Sequence, residues 1–256
     1  MKKILVLILF TATFSFGAKS QVLQAVDSVQ FMNRLQFAAK LVDYEYIMQV
    51  SLDKLKQEQD IPASDWFCYL DGNTWHTVTG SCTNREFSVS RHVTVDSINN
   101  IADYKGNSDV AGISAMGCAM AKADTYFQLI RDTTSIYFSS FAWHNPDRTV
   151  SIWFLPAFQP SGQAIYGCEW EYVFDKTGTT LLRTNSFTGK TTGVWIGQPR
   201  EIWLNYRGAD APTVGSLFFT LSFRDYFTRL RIDTRTSTST TLKGTDGLYT
   251  WSHKMK

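Results

Sequence analysis

The 256-residue chain lacks the short motifs by which the common enzymes are read. It has no Gly-x-Ser-x-Gly elbow, no Gly-x-Gly-x-x-Gly dinucleotide turn and no Gly-x4-Gly-Lys-Ser/Thr phosphate loop. It has neither His-Glu-x-x-His nor His-x-His, and its four histidines, His76, His92, His144 and His253, stand singly. The four cysteines lie 14, 36 and 50 residues apart, spacings that match no zinc pattern. No metal or other cofactor is therefore expected. Missing motifs remove the readable enzymes; they do not remove enzymes as a class.

After the first twenty residues, no apolar run approaches the ~20 residues of a membrane helix. The beginning of the chain is different. Lys2 and Lys3 precede an apolar run from Ile4 to Phe16, and Ala18-Lys19-Ser20 offers small residues where a signal peptidase reads. This pattern predicts a secretory signal peptide over residues 1–20, cleaved after Ser20 to leave Gln21. With no cysteine before Cys68, a lipoprotein is not expected. Loss of Lys2, Lys3 and Lys19 takes the formal charge from +2 to −1. The apparent basicity belongs to the leader and points to no nucleic-acid partner. The mature chain, 21–256, is expected to be soluble, as one exported domain with a minor split near residue 133 as the alternative.

The hydrophobic pattern outlines the elements. Residues 22–59 read as a helix whose apolar stripe is Phe37, Leu41, Tyr44, Met48, Leu52 and Leu55; Ile61-Pro62 stops it. From Trp66 the period becomes two, with strands near 66–70, 74–79 and 85–96. A second helix is predicted over 109–131, with Ile113, Met116, Met120, Ala123, Phe127 and Ile130 on one face. Hairpins are expected around "HNPDR" and "DKTG", and "EIWLNY" is a strand. A third helix opens at Asp210-Ala211-Pro212, with the aspartate as its cap. "LRIDT" and "LYTWSHK" close the chain as strands around a Thr/Ser-rich loop at 236–241. The sum is an α+β fold: a mixed, largely antiparallel sheet of seven to nine hairpin strands packed with three main helices.

The densest cluster of reactive side chains is "DWFCYLDGNTWHTVTGSC", Asp65 to Cys82. Asp71-Gly72-Asn73 is a hairpin turn signal. A two-residue loop at Asp71-Gly72 sets Cys68 against Trp75; one at Gly72-Asn73 sets it against Thr77. Either way strand parity sends Cys68 and His76 to opposite faces, which disfavours a cysteine–histidine dyad. The loop also lacks the calcium-site glycine and glutamate spacing. His76 is then the residue whose surroundings matter most.

Other candidates are weighed in the same way. Glu169 and Glu171 leave one strand on one face, as a glycosidase pair would, or simply as a solvated face opposite Cys168, Trp170, Tyr172 and Phe174. Cys118, beside Lys122, is a candidate nucleophile, with His144 or His92 as its histidine; a structural or disulfide role is the blander alternative. Cys68, Cys82, Cys118 and Cys168 allow three pairings, and a Cys68–Cys82 bridge needs the chain to fold back after Gly80-Ser81. Trp143, Trp195 and Trp251 are candidates for a sugar-stacking platform, although most tryptophans are packing residues.

The block "EIWLNYRGADAPTVGSLFFTLSFRDYFTRLRID", the pair "YGCEWEYVFD…LL" and the leader ending in Ser-Gln resemble secreted proteins of Bacteroidota-type bacteria that have no function attached. The resemblance implies an envelope or extracellular location and no activity. The strand, Pro-Thr and helix order in "NYRGADAPTVGSLFF" also resembles the deubiquitinase-type metalloprotease fold, but that family's His-x-His is missing here. The expected function is a non-catalytic binding or structural module with a glycan or an envelope protein as partner. The alternatives are a hydrolase of envelope or extracellular polymers with a non-standard site, and a carbohydrate-binding protein using exposed tryptophans.

Overall fold

The structure, a computed structural model, describes residues 27–57, 65–96, 100–106, 109–187, 191–197, 200–245 and 249–256. The expected leader and its cleavage site lie outside them. The chain opens with helix α1 (Ser28–Gln57) and a meander of β1 (Asp65–Asp71), β2 (Thr74–Thr83), β3 (Glu86–Val95) and β4 (Ile101–Asp103). Helix α2 (Val110–Arg131) follows. Next come β5 (Phe138–His144), β6 (Val150–Pro156), β7 (Gln163–Tyr166), β8 (Trp170–Phe174), β9 (Leu181–Ser186) and β10 (Thr192–Trp195). The C-terminal part holds β11 (Arg200–Tyr206), α3 (Val214–Ser222), a 3-10 turn at Arg224–Tyr226, β12 (Phe227–Thr234), β13 (Ser237–Lys243) and β14 (Tyr249–Met255). The fold is α+β and largely antiparallel. Fourteen strands are described where the pattern predicted seven to nine, and they form three four-stranded sheets and one ribbon rather than one sheet.

The first sheet runs β1-β2-β3-β4 and the second β5-β6-β8-β9. The third runs β11-β12-β13-β14, and β7 pairs with β10 as a two-stranded ribbon. All pairs are antiparallel except β11 with β12, which α3 connects as a crossover. The first hairpin takes the Gly72-Asn73 loop: Asp71 pairs with Thr74 and Cys68 with Thr77. Gly72 supplies the positive φ, +57°, that the first turn position requires.

Helix α2 lies between the first and second sheets, and this explains its composition. Phe67, Val78 and Phe87 pack on it from one side, and Ile152, Phe154, Tyr172 and Phe174 from the other. Its buried set therefore includes Ala115, Gly117, Cys118 and Ala119 as well as the expected stripe, apart from Ile130, which is half-buried. At Gly117 an added methyl would collide with the Phe87 ring, so the small residues allow the close approach. Asp109 caps the helix, accepting from Gly112 N at 3.1 Å.

A second core joins α1, α3 and the third sheet with the reverse face of the second sheet, through Trp153 and Leu155. Strand β6 is thus buried on both faces, which accounts for its apolar run from Ile152 to Pro156. On α1 the buried line is Phe31, Ala38, Leu41, Tyr44, Ile47, Ser51 and Leu55. Phe37, Met48 and Leu52, predicted to lie on that line, are only partly buried at its flank. The cap of α3 is Thr213, whose Oγ1 accepts from Ser216 N; Asp210 instead pairs with Arg235. Pro212 lies just outside the cap, which shifts the helix start three residues from the expected aspartate. The predicted Thr/Ser-rich loop is strand β13. Its β-branched threonines suit a pleated strand, and Ser237, Ser239 and Thr241 face inward, buried.

Cys82 and Cys118 form a disulfide, S–S 2.06 Å, that ties β2 to the middle of α2. The weighed Cys68–Cys82 bridge is therefore overturned. Cys68 and Cys168 are free and buried.

Candidate functional site

A cavity of about 880 Å³ opens where α1, β1, α2 and the segment leading into β5 meet. Helix α1 contributes Tyr44, Glu45, Met48, Gln49 and Leu52, so part of its apolar stripe lines this space rather than the core. Strand β1 contributes Asp65 and Trp66. Helix α2 adds Met120, Asp124 and Arg131, and residues 134–141 form the remaining wall, with Tyr137, Phe138 and Phe141 as its aromatics. Pockets of this size hold drug-sized ligands, and their few polar groups fix orientation.

Three carboxylates face one guanidinium here. Arg131 Nη2 pairs with Asp124 Oδ1 at 2.7 Å. Among the described residues Glu45 joins no ion pair; Ser139 Oγ donates to its Oε1 at 2.6 Å. Burial pushes the Glu45 carboxyl above the ordinary range, only partly offset by the serine. Asp65 is also pushed up, first by burial and then by the charge of Asp124, while the Cys82 amide opposes the shift. The cavity thus holds two partly buried acids that join no ion pair among the described residues, beside aromatic walls.

A separate cluster occupies the first sheet. His76 and Tyr69 are cross-strand partners with stacked rings, centroids 4.6 Å apart. His76 Nδ1 lies 3.0 Å from His92 Nε2, and Tyr69 Oη lies 3.3 Å from the same nitrogen. Tyr104 packs against both imidazoles. Burial lowers the pKa of His76, against the nearby charge of Asp71. Burial and then the charge of His76 bring His92 down to about 4. Cys68 is on the opposite face, as strand parity requires: its Sγ contacts Thr77 Oγ1 at 3.2 Å, and burial raises its thiol to about 12.

The remaining candidates separate. Cys118 is consumed by its disulfide and is no nucleophile. His144 contacts the Gly112 carbonyl oxygen at 3.2 Å. Glu169 is not on a solvated face. It is buried beneath the start of α3, where Thr213 Oγ1 and Gly215 N donate to it at 2.8 and 3.0 Å. It precedes β8 and follows the turn at Gly167, so the strand alternation assumed for it does not apply. Desolvation pushes its carboxyl up to about 7 despite these donors and Tyr206. Glu171 accepts from Ser151 Oγ and Asn185 Nδ2 at 2.8 and 2.7 Å, so the two glutamates do not share a cleft. Trp143 is covered by Phe37 and Lys40, and Trp251 packs on Phe31. Trp195 is 60% exposed. Glu45, Asp65, Asp124 and Arg131 carried no sequence motif. The available signal was a helical stripe on α1 wider than one core face needs.

No protein-family model, curated protein or solved structure matches the chain. Among the described residues no helix is long and apolar enough to cross a membrane.

Proposed function

We propose that this is an exported, non-catalytic binding protein of a bacterial envelope or its exterior, and that its cavity takes a small organic cation with an apolar body. The observation that carries the reading is the pairing of Glu45 and Asp65, two desolvated carboxylates in no ion pair among the described residues, with the Trp66, Tyr137 and Phe138 walls. A positive ligand offsets the cost of burying those charges, and aromatic faces attract it. The expected leader and the resemblance to Bacteroidota-type secreted proteins support the location, and the Cys82–Cys118 disulfide is compatible with an oxidising compartment. Mature protein from its native host should begin at Gln21 by mass spectrometry; a retained Met1 refutes export.

The binding claim is tested with a panel of aryl-alkyl ammonium compounds against their neutral alcohol and carboxylate counterparts. Thermal-shift and calorimetric responses should be confined to the ammonium members and lost in Glu45→Gln/Asp65→Asn. Equal responses to the neutral members would defeat the assignment. The hydrolase alternative rests on the Ser139–Glu45 hydrogen bond, a hydroxyl beside an acid raised toward the range of a general base. Turnover of ester or glycoside substrates that disappears in Ser139→Ala would favour it over simple binding.

A further inference from the structure

The outer face of the third sheet contributes nothing to the cavity. Its reverse face buries Ile202, Leu204, Leu230 and Ile232 in the core, so strand parity turns the alternate residues outward. One outward row crosses all four strands: Trp203, Arg231, Thr240 and Ser252 are successive register partners. Trp203 is 65% exposed on the edge strand β11. The Arg231 guanidinium carbon lies over one face of its indole, 4.4 Å from the ring centroid. The other face of the indole is open.

Arg231 is unlike its neighbours. Arg229 pairs with Glu201 at 2.9 Å, and Arg207 and Lys256 pair with Asp233 at 2.8 and 2.7 Å. Arg231 joins no ion pair among the described residues, and its Nε is buried without a hydrogen-bond partner. A guanidinium presents five donors in a planar fork, and stacking on an indole uses none of them.

We propose that this face binds an acidic polysaccharide in which uronate units alternate with neutral sugars. One sugar ring stacks on the open side of Trp203, and a carboxylate takes the Arg231 fork. Each part of the ligand meets its counterpart. The C–H face of a pyranose is flat and apolar and packs on an indole. A carboxylate matches a guanidinium with two parallel, charge-assisted bonds. The Thr240 and Ser252 hydroxyls continue the row, which at ~4.8 Å per strand is about 14 Å long, enough for a few sugar units. Charge complementarity makes the ligand acidic: Arg207, Arg229, Arg231, Lys254 and Lys256 outnumber Glu201 and Asp233. The row offers one free fork followed by hydroxyls, which suits a carboxylate with neutral neighbours. A nucleic acid carries a charge at every nucleotide and stacks successive bases on successive rings. Among the described residues this face has one aromatic ring, and its two acids repel a continuous polyanion.

The test is calorimetric titration of the chain from Gln21 with hyaluronan and unsulfated chondroitin tetrasaccharides. Their methyl esters and a single-stranded oligodeoxynucleotide are titrated beside them. The acidic sugars should bind, and esterification should weaken them by about tenfold or more. Trp203→Ala and Arg231→Ala should each cost roughly 30-fold, as truncation of a central aromatic or arginine does. Arg231→Lys, which keeps the charge and loses the fork, should recover only part of that loss. Trp195→Ala removes another exposed tryptophan, outside this row, and should change nothing. Glu45→Gln/Asp65→Asn should also change nothing, so this surface and the cavity stand or fall separately. If a face variant does not fold, nuclear resonances of the wild type decide: shifts on adding the tetrasaccharide should centre on the Trp203 indole and the Arg231 side chain. Absence of binding to both tetrasaccharides, equal binding of the esters, tighter binding of the oligonucleotide, or unchanged affinity in folded Trp203→Ala would overturn the proposal.

Discussion

Replacing Tyr44 by phenylalanine should cost far more than one hydroxyl suggests. Tyr44 is fully buried on α1, and its oxygen lies between two strands that belong to different sheets. It accepts from Cys68 N of β1 at 2.8 Å and from Ala142 N of β5 at 3.3 Å. Phenylalanine keeps the ring and its contacts with Trp75 and Phe141 but leaves two buried amides unpaired. An orphaned buried donor costs about 1–3 kcal/mol, so the pair costs roughly 2–6 kcal/mol. The longer second bond places the expected value near 3 kcal/mol. For a chain of this size that is a fall of about 6–12 °C in Tm. Urea unfolding should show a lower midpoint with an unchanged slope, and hydrogen exchange should show lost protection at Cys68 and Ala142. A loss below ~0.5 kcal/mol with both amides still protected would refute the reasoning, because the amides would then have another acceptor.

Other outcomes follow from the same geometry. Removing the disulfide with Cys82→Ser/Cys118→Ser opens a 36-residue loop and should cost about 4 kcal/mol in denaturant unfolding. Glu169 has a raised folded pKa, so its protonated form is the stabilising one. That contribution is whole below the unfolded value of about 4.5 and is lost as the pH rises through about 7. Glu169→Gln should therefore gain on the wild type by roughly 3 kcal/mol between pH 4 and pH 8, and a pH-independent difference would exclude a neutral buried acid. The proposed ammonium binding needs ionised Glu45 and Asp65. Affinity should fall with decreasing pH at values above the usual carboxylate range, and the fall should vanish in Glu45→Gln/Asp65→Asn.

Local features were legible where one principle acted alone. The α2 stripe and the parity of the first hairpin followed from periodicity, and the two faces of β1 are as parity demands. Legibility failed where a second surface intruded. Cys118 looked peripheral because α2 was expected to bury one face, yet the first sheet covers the other face and brings Cys82 to it. Serine and threonine at 237–241 looked like a loop because polarity outweighed their β-branching. Glu169 lost its expected exposure to α3, which starts 45 residues later in the chain. The cavity was hidden for a similar reason. Glu45, Asp65, Asp124 and Ser139 come from four segments that only the tertiary fold unites. The same holds for His76 and His92, whose spacing of sixteen becomes 3.0 Å only through a hairpin.

The position of α1 has a consequence for biogenesis. Its apolar line packs on α3 and the third sheet, and Arg34 donates to the Pro212 carbonyl 178 residues further along the chain. A ribosome delivers the chain from its N-terminal side, so the Phe31–Arg34 end of α1 is made well before Pro212 and Trp251, the residues that cover it. The C-terminal βαβ crossover and hairpin, by contrast, close over short separations. The vulnerable species during synthesis is then a helix whose N-terminal apolar residues lack their cover. A holding factor that shields this end of α1 until α3 and β14 have emerged would suppress its aggregation.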